Sequence, residues 1–325
     1  YLAPGLLGMK TGLPLYVVGT STFGSIGGLI MPGFLMGALQ FGWLGVNTFA
    51  SATFLNKSFG PDPTLFYALC VVWAVGAAFV GLKGIQYVAK VATFLPIIPL
   101  AVLIMGLVMF GGSAFKYTPP ANPAATGGSI ASILVMVGAI VGFFATAGAA
   151  GVDFGTNSRD GADVQKGGYV GIIAAIIFTA AISVLVVAGA RHMGLINDET
   201  VLMTDALAKK LPENVFKLVM IGLTLASFPG ACFSSFIAAN SFKTVMPKVN
   251  PLVSVGVGTI VSVALAVSGY AGDLASVFGI IGASFGPICG AMTADYLLNG
   301  RRWSGPRAGF NPAGWIAWAL GFFVG

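Results

Sequence analysis

Nine long apolar runs follow one another along the chain, separated by short clusters of charge, proline and glycine. They lie at about Ile26–Phe54, Thr64–Leu82, Val91–Gly111, Ile130–Val152, Gly168–Ala190, Val215–Ile237, Pro251–Val267, Leu274–Leu298 and Pro312–Gly325. A tenth, shorter run precedes Lys10. A helix needs ~20 consecutive apolar residues to cross hydrocarbon, and most of the runs reach that length with almost no charge inside. The pattern predicts an all-α polytopic membrane protein, with residues 1–325 forming one transmembrane domain. The first and last runs are too short to cross alone, so we expect a chain truncated at both ends.

Composition strengthens this reading. Hydrophobic residues make up 57% of the chain and charged residues 8%, with a mean hydropathy of +0.93. A soluble domain needs a wettable outside and could not use so much apolar surface. The net charge of +6 does not point to nucleic acid, because the basic residues sit singly in loops with no interleaved aromatic platform. Counted on alternating loops, ten Lys and Arg fall on the side of Lys10, Lys83, Arg159, Lys243 and Arg301, against six on the other. The richer side is expected to be cytoplasmic, which places the protein in the inner, cytoplasmic membrane. On the opposite side, Phe115–Gly128 reads as an irregular loop, and Asp198–Leu211 as a short amphipathic surface helix.

The informative positions are the few polar groups inside apolar runs. Gln40, Trp43 and Asn47 fall at i, i+3 and i+7 and share one helix face. The adjacent donor and acceptor of the Gln40 amide match the edge of a cyclic amide such as a nucleobase; they equally match a neighbouring helix. Phe143 and Phe144, followed by Thr146, could offer a flat face to a planar ring, or simply pack. Thr224 and Ser227 lie one turn apart before Pro229. Their oxygens suit a hard monovalent cation, and they also suit bonding back to their own helix. Gly142–Gly151 and Ser227–Gly230 are where we expect helices to be interrupted, since transporters build sites from broken helices. Gly37, Gly42 and Gly45 suit close helix packing.

Other chemistry is sparse. Asp153 and Asp295 close two runs on the basic side, within reach of Arg159 and Arg301. His192 belongs to a surface loop. Cys70, Cys232 and Cys289 form no metal or redox spacing and read as packing residues. No nucleophile, P-loop or metal-protease signature is present, which argues against an enzyme. No ring of repeated polar residues suggests a channel.

Several motifs, taken in order, resemble the nucleobase:cation symporter family one, the purine/cytosine permeases, and most closely its bacterial cytosine permeases. Lys10-Thr11-Gly12-Leu13-Pro14 with Ser21-Thr22-Phe23-Gly24 is similar to the loop after that family's second helix. Gln40-Phe41-Gly42-Trp43-Leu44-Gly45-Val46 is similar to its third helix. Val152-Asp153-Phe154 resembles the end of the sixth. Ala294-Asp295-Tyr296-Leu297 with Arg301-Arg302 resembles the end of the tenth, and Asn311-Pro312-Ala313 the start of the eleventh.

The resemblance implies a LeuT-type inverted-repeat bundle of the APC superfamily, five helices plus five with two appended. This chain would run from the end of helix two into helix eleven of twelve. It also implies a symporter importing a nucleobase, most simply cytosine, by alternating access. Hydroxymethylpyrimidine, uracil, a purine or an allantoin-like ring are the alternative cargoes. Na+ or H+ would be the coupling ion, and no other cofactor is implied. Gln40 and Phe144 would contact the base, with Phe143, Thr146, Trp43 and Asn47 beside them. Thr224 and Ser227 would hold Na+. The chain departs from the family at Ser227-Phe228-Pro229-Gly230-Ala231, where cytosine permeases carry Thr-Thr-Asn-Asp-Asn. A receptor that binds the base without moving it is the reading from another class.

Overall fold

Hydrocarbon offers no partner to a backbone N–H or C=O, so an apolar run must bond within itself, and the runs here are helical along most of their length. The computed structural model describes residues 1–119, 128–197 and 202–325. We number its helices α1 (Leu2–Thr11), α2 (Leu15–Val18), α3 (Thr20–Phe23), α4 (Leu35–Phe59), α5 (Pro63–Lys83), α6 (Ile85–Ala92), α7 (Ile97–Ala114) and α8 (Gly128–Gly155). They continue as α9 (Gly161–Lys166), α10 (Ala175–His192), α11 (Met203–Lys210), α12 (Glu213–Val245), α13 (Pro251–Val267), α14 (Leu274–Leu298) and α15 (Pro312–Val324). Among the described residues, seven helical segments are long and apolar enough to cross a membrane, while α13 and α15 are shorter.

Starts of helices are written locally. Asp62 accepts from the N–H groups of Thr64 and Leu65, and Pro63 follows at the first helical position. Asn250 accepts from Leu252 before Pro251 in the same way. Asp273 receives the N–H and the hydroxyl of Ser276, which hold its carboxyl below the usual range. Each cap satisfies N–H groups that the first turn leaves unpaired.

Three expectations need correction. Gly142–Gly151 and Ser227–Gly230 do not interrupt their helices: α8 and α12 run through both without a break. Pro229 removes only one N–H from the ladder, and the flanking turns of α12 remain helical. Widened, π-type turns occur elsewhere, at Leu29–Phe34 around Pro32, leading into α4, and at Gly167–Ala174 between α9 and α10. The run Val91–Gly111 is not one helix, because α6 ends at Ala92 and α7 begins at Ile97. Pro96 lacks an N–H and disfavours helix for the residue before it. Finally, Arg159 pairs with Asp163, one turn along the chain, and not with Asp153. Asp295 pairs with Arg307 and not with Arg301. Arg301 instead occupies a left-handed position (φ 61°) just beyond α14.

Glycine sets the closest helix contacts. A Cβ on Gly142 would lie 2.0 Å from the Phe278 carbonyl oxygen, so α8 and α14 touch backbone to backbone. Gly37 meets the Phe242 ring and Gly45 the Ser262 carbonyl, as expected for packing, whereas Gly42 has open space. His192 is exposed, and Cys70 and Cys232 are buried. The surface helix expected over Asp198–Leu211 appears as α11, with residues 198–201 outside the described set; 120–127 of the loop Phe115–Gly128 also lie outside it.

Contacts between distant segments sort the loops into two faces. Lys10 Nζ donates to the Tyr296 hydroxyl at 2.9 Å, and the Leu15 N–H donates to Asp153 at 3.0 Å. At the opposite face, Lys57 and Asp205 pair at 2.7 Å. Each of these contacts joins segments that the loop count puts on one side.

Candidate functional site

Helix α4 carries the polar row. Gln40 is 4% exposed, and its amide nitrogen lies 3.6 Å from Met36 Sδ, a weak acceptor. Two turns on, Asn47 donates from Nδ2 to the Trp43 carbonyl at 2.9 Å. The row continues to Ser51, which donates to the Asn47 carbonyl at 2.6 Å. Ser51 extends the same face by four residues, so the spacing rule that found Gln40, Trp43 and Asn47 could have found it.

Aromatic rings meet this row from two other helices. Trp43 stands edge-on to Phe143 of α8, with centroids 4.9 Å apart, and tilts against Phe278 of α14 at 5.0 Å. Phe143 also touches Phe278 at 5.0 Å and Phe144 at 4.8 Å. Phe143 is thus the hub of the cluster, and Phe144 joins it at the edge. Phe278 is an addition from the structure. Nothing marks it in sequence, because a phenylalanine in an apolar helix has no distinguishing neighbour. Thr146, two residues beyond Phe144, is buried. The indole N–H of Trp43 is buried and has no acceptor. An unpaired donor in a dry site costs about 1–3 kcal/mol.

The other candidates line the seam between α4 and α12. Thr224 is 1% exposed; its hydroxyl donates to the Met220 carbonyl at 2.9 Å and approaches the Ser51 carbonyl at 3.4 Å. Ser227 donates to the Thr224 carbonyl at 2.7 Å, and its oxygen meets that of Ser51. Both hydroxyls therefore bond back to α12. A hydroxyl that donates still keeps its lone pairs, so Thr224 and Ser227 remain able to accept a cation. Phe228 turns away from the seam and packs on Trp73 of α5 at 5.0 Å. Gly230 lies opposite Asn47, where a Cβ would fall 3.3 Å from Oδ1.

On the face of Lys10 and Arg301 a cavity of about 640 Å³ opens among the α1–α2 link, the start of α4, the end of α8 and the last turns of α12. Met36, the neighbour of the Gln40 amide, lines it, as do Asp153, Asn157, Asn240 and Lys243. A second cavity of about 560 Å³ lies between α4, α13 and α14, is walled almost wholly by apolar side chains, and contains none of the candidate residues.

The apolar helices, packed as a bundle, give a polytopic membrane fold of the LeuT type. A family model described as "Permease for cytosine/purines, uracil, thiamine, allantoin" matches residues 2–304, and the chain belongs to that family. Cytosine permeases of Escherichia coli strains K12 and O6:H1 are each 26% identical over 308 residues, covering 92% of this chain and 67% of theirs. Among solved structures, Mhp1, a nucleobase-cation-symport-1 family transporter, is similar in its closed conformation with bromovinylhydantoin bound. The TM-score is 0.64 at 15% identity, over 92% of this chain and 68% of Mhp1. Its inward-facing conformation gives a TM-score of 0.69 at 18% identity, over 98% of this chain and 74% of Mhp1. These relatives are permeases and transporters, not enzymes.

Proposed function

We propose that this chain is the body of a symporter that imports a nucleobase, cytosine in the first instance, together with Na+ across the cytoplasmic membrane. One observation carries the reading: a buried Trp43 N–H without an acceptor stands among the rings of Phe143, Phe144 and Phe278, beside the amides of Gln40 and Asn47. A planar ring brings a face to stack and an edge of acceptors and donors, which are the two things this site lacks within itself. The names of the Escherichia coli relatives and the hydantoin bound to Mhp1 support a small planar cargo. The lone pairs of Thr224 and Ser227 are the oxygen ligands that Na+ prefers. The basic excess makes the face of Lys10, Lys83, Arg159, Lys243 and Arg301 cytoplasmic, so the cavity near Met36 is the release path in an alternating-access cycle.

A second reading rests on α12. Thr224 and Ser227 are internally bonded, and Phe228-Pro229-Gly230 supplies neither carboxylate nor amide, which favours H+ coupling or binding without transport. Counterflow of radiolabelled cytosine into proteoliposomes holding the full-length protein, with and without Na+, separates these. Exchange that requires Na+ supports the symporter. Exchange driven by a pH gradient alone moves the assignment to H+. Saturable binding without exchange makes the protein a receptor.

A further inference from the structure

At the end of α3 the Thr20 carbonyl takes the Gly24 N–H, and those of Ser21, Thr22 and Phe23 are left over by its own ladder, as at any helix C-terminus. All four are received by a segment far along the chain. Thr20 O accepts the Arg307 N–H at 3.2 Å and Phe23 O the Asn311 N–H at 2.9 Å. Ser21 O accepts from the Arg307 guanidinium, and Thr22 O from the Asn311 amide at 2.7 Å. The Trp315 indole adds a bond to Phe23 O at 3.2 Å.

Asp295, at the end of α14, sits behind this cap. Its side chain is 13% exposed. One oxygen takes the Ser21 and Thr22 hydroxyls at 2.9 and 3.2 Å; the other takes Arg307 at 2.8 Å and Asn299 at 3.0 Å. A carboxylate so fully paired is expensive to disturb, since removing it takes an acceptor from Ser21, Thr22 and Arg307, all in other segments. Gly24 completes the fit: at φ 91° it brings α3 against Gly309, where a Cβ would lie 2.3 Å from the carbonyl oxygen.

Beyond the capped end, the chain passes Gly27 and Gly28 and enters the widened turn at Leu29–Phe34, with Pro32 inside it. Only then does α4 begin. Small residues, a proline and a π-type turn are where helices bend. We propose that Asp295 and Arg307 are positioning residues for transport: they pin α3 to the ends of α14 and α15, so that α4 and its row of Gln40, Trp43 and Asn47 pivot at the widened turn. Neither residue belongs to the ring cluster; they act on α4 through α3.

The inference rests on transport by this chain, so its test includes a readout that needs no base. In the full-length protein, Asp295→Asn and Arg307→Gln should each lower the maximal uptake rate about tenfold, while equilibrium cytosine binding stays within about threefold. The exchanged pair, Asp295→Arg with Arg307→Asp, should recover part of the rate. Ser241, buried in the wall of the 640 Å³ cavity opposite Tyr16 and Pro32, gives the second readout. With Ser241→Cys, labelling by an impermeant maleimide in inside-out vesicles should quicken at least about threefold once Asp295→Asn frees that wall. Unchanged uptake and unchanged labelling in both single variants overturn the proposal. So does a parallel loss of binding, rate and thermal stability, which would reduce the pair to a fold contact. If cytosine is not the cargo, the parent shows no uptake, yet labelling still answers.

Discussion

Helix α4 meets its neighbours in two different ways. Along α12, polar groups meet polar groups, and the hydroxyls of Ser51, Thr224 and Ser227 all find acceptors in the protein. Along α8 and α14, rings meet rings, and the one donor among them, Trp43 Nε1, finds none. Buried polar groups are ordinarily paired. The hydroxyls of the first seam are paired within the protein, whereas the second leaves one buried donor unpaired. Under the proposed function, the contrast favours the aromatic side as the place where cargo is read.

The comparison can be broken first at its frame. Gly142→Val would drive a branched side chain into the Phe278 carbonyl, already 2.0 Å from an ideal Cβ. Backbone cannot yield as a side chain can, so the α8–α14 contact should open, at a cost well above the 1–3 kcal/mol typical of overpacking. Loss of folded protein in detergent, followed by thermal unfolding, checks this; a variant with the parent's melting temperature would mean the helices are not in backbone contact. Next comes the unpaired donor. Trp43→Ala removes both ring and N–H and should weaken cytosine binding by about 3 kcal/mol, whereas Trp43→Phe keeps the packing and should cost about 1 kcal/mol. Equal losses in calorimetry would show that the N–H does not touch the ligand.

Smaller effects test the row and the seam. Gln40→Ala should weaken binding by a few kcal/mol at most, because truncation leaves one polar partner unpaired; wild-type affinity would remove Gln40 from the site. Thr224→Ala with Ser227→Ala should leave affinity in the absence of Na+ within about twofold of the parent, and abolish any increase on adding Na+. An increase that survives the double substitution would leave the α4–α12 seam a structural joint only.

How much of this was legible beforehand follows from what each signal depends on. The apolar helices and the α4 row depend on local pattern, and most of them were readable: Gln40, Trp43 and Asn47 do share a face, and α11 does appear as a short helix. The interruptions expected in α8 and α12 were not found, because glycine and proline permit a bend without requiring one, and tertiary packing decided for continuous helices. Which carboxylate pairs with which arginine was also unreadable, since Asp295 and Arg307 are joined across a segment that turns through left-handed positions at Gly300, Arg301 and Gly305. Phe278 escaped for a plainer reason: only its position in space distinguishes it from the other 24 of the chain's 25 phenylalanines. The family resemblance carried the assignment of roles; within the ring cluster, Phe143 touches Trp43, Phe144 and Phe278.

The cap on α3 has a consequence for time. Its acceptors stand near the beginning of the chain and its donors near the end, with 286 residues between Ser21 and Arg307. At roughly 5–20 residues per second, a ribosome needs roughly 15 to 60 seconds to make the distance. For that interval the carbonyls of Ser21, Thr22 and Phe23 and the Thr22 hydroxyl wait without these partners, while the seven long apolar helical segments are made behind them. The joint that fixes the base of α4 is therefore among the last to close, and a chain released early would hold its membrane helices while lacking the anchor on which α4 turns.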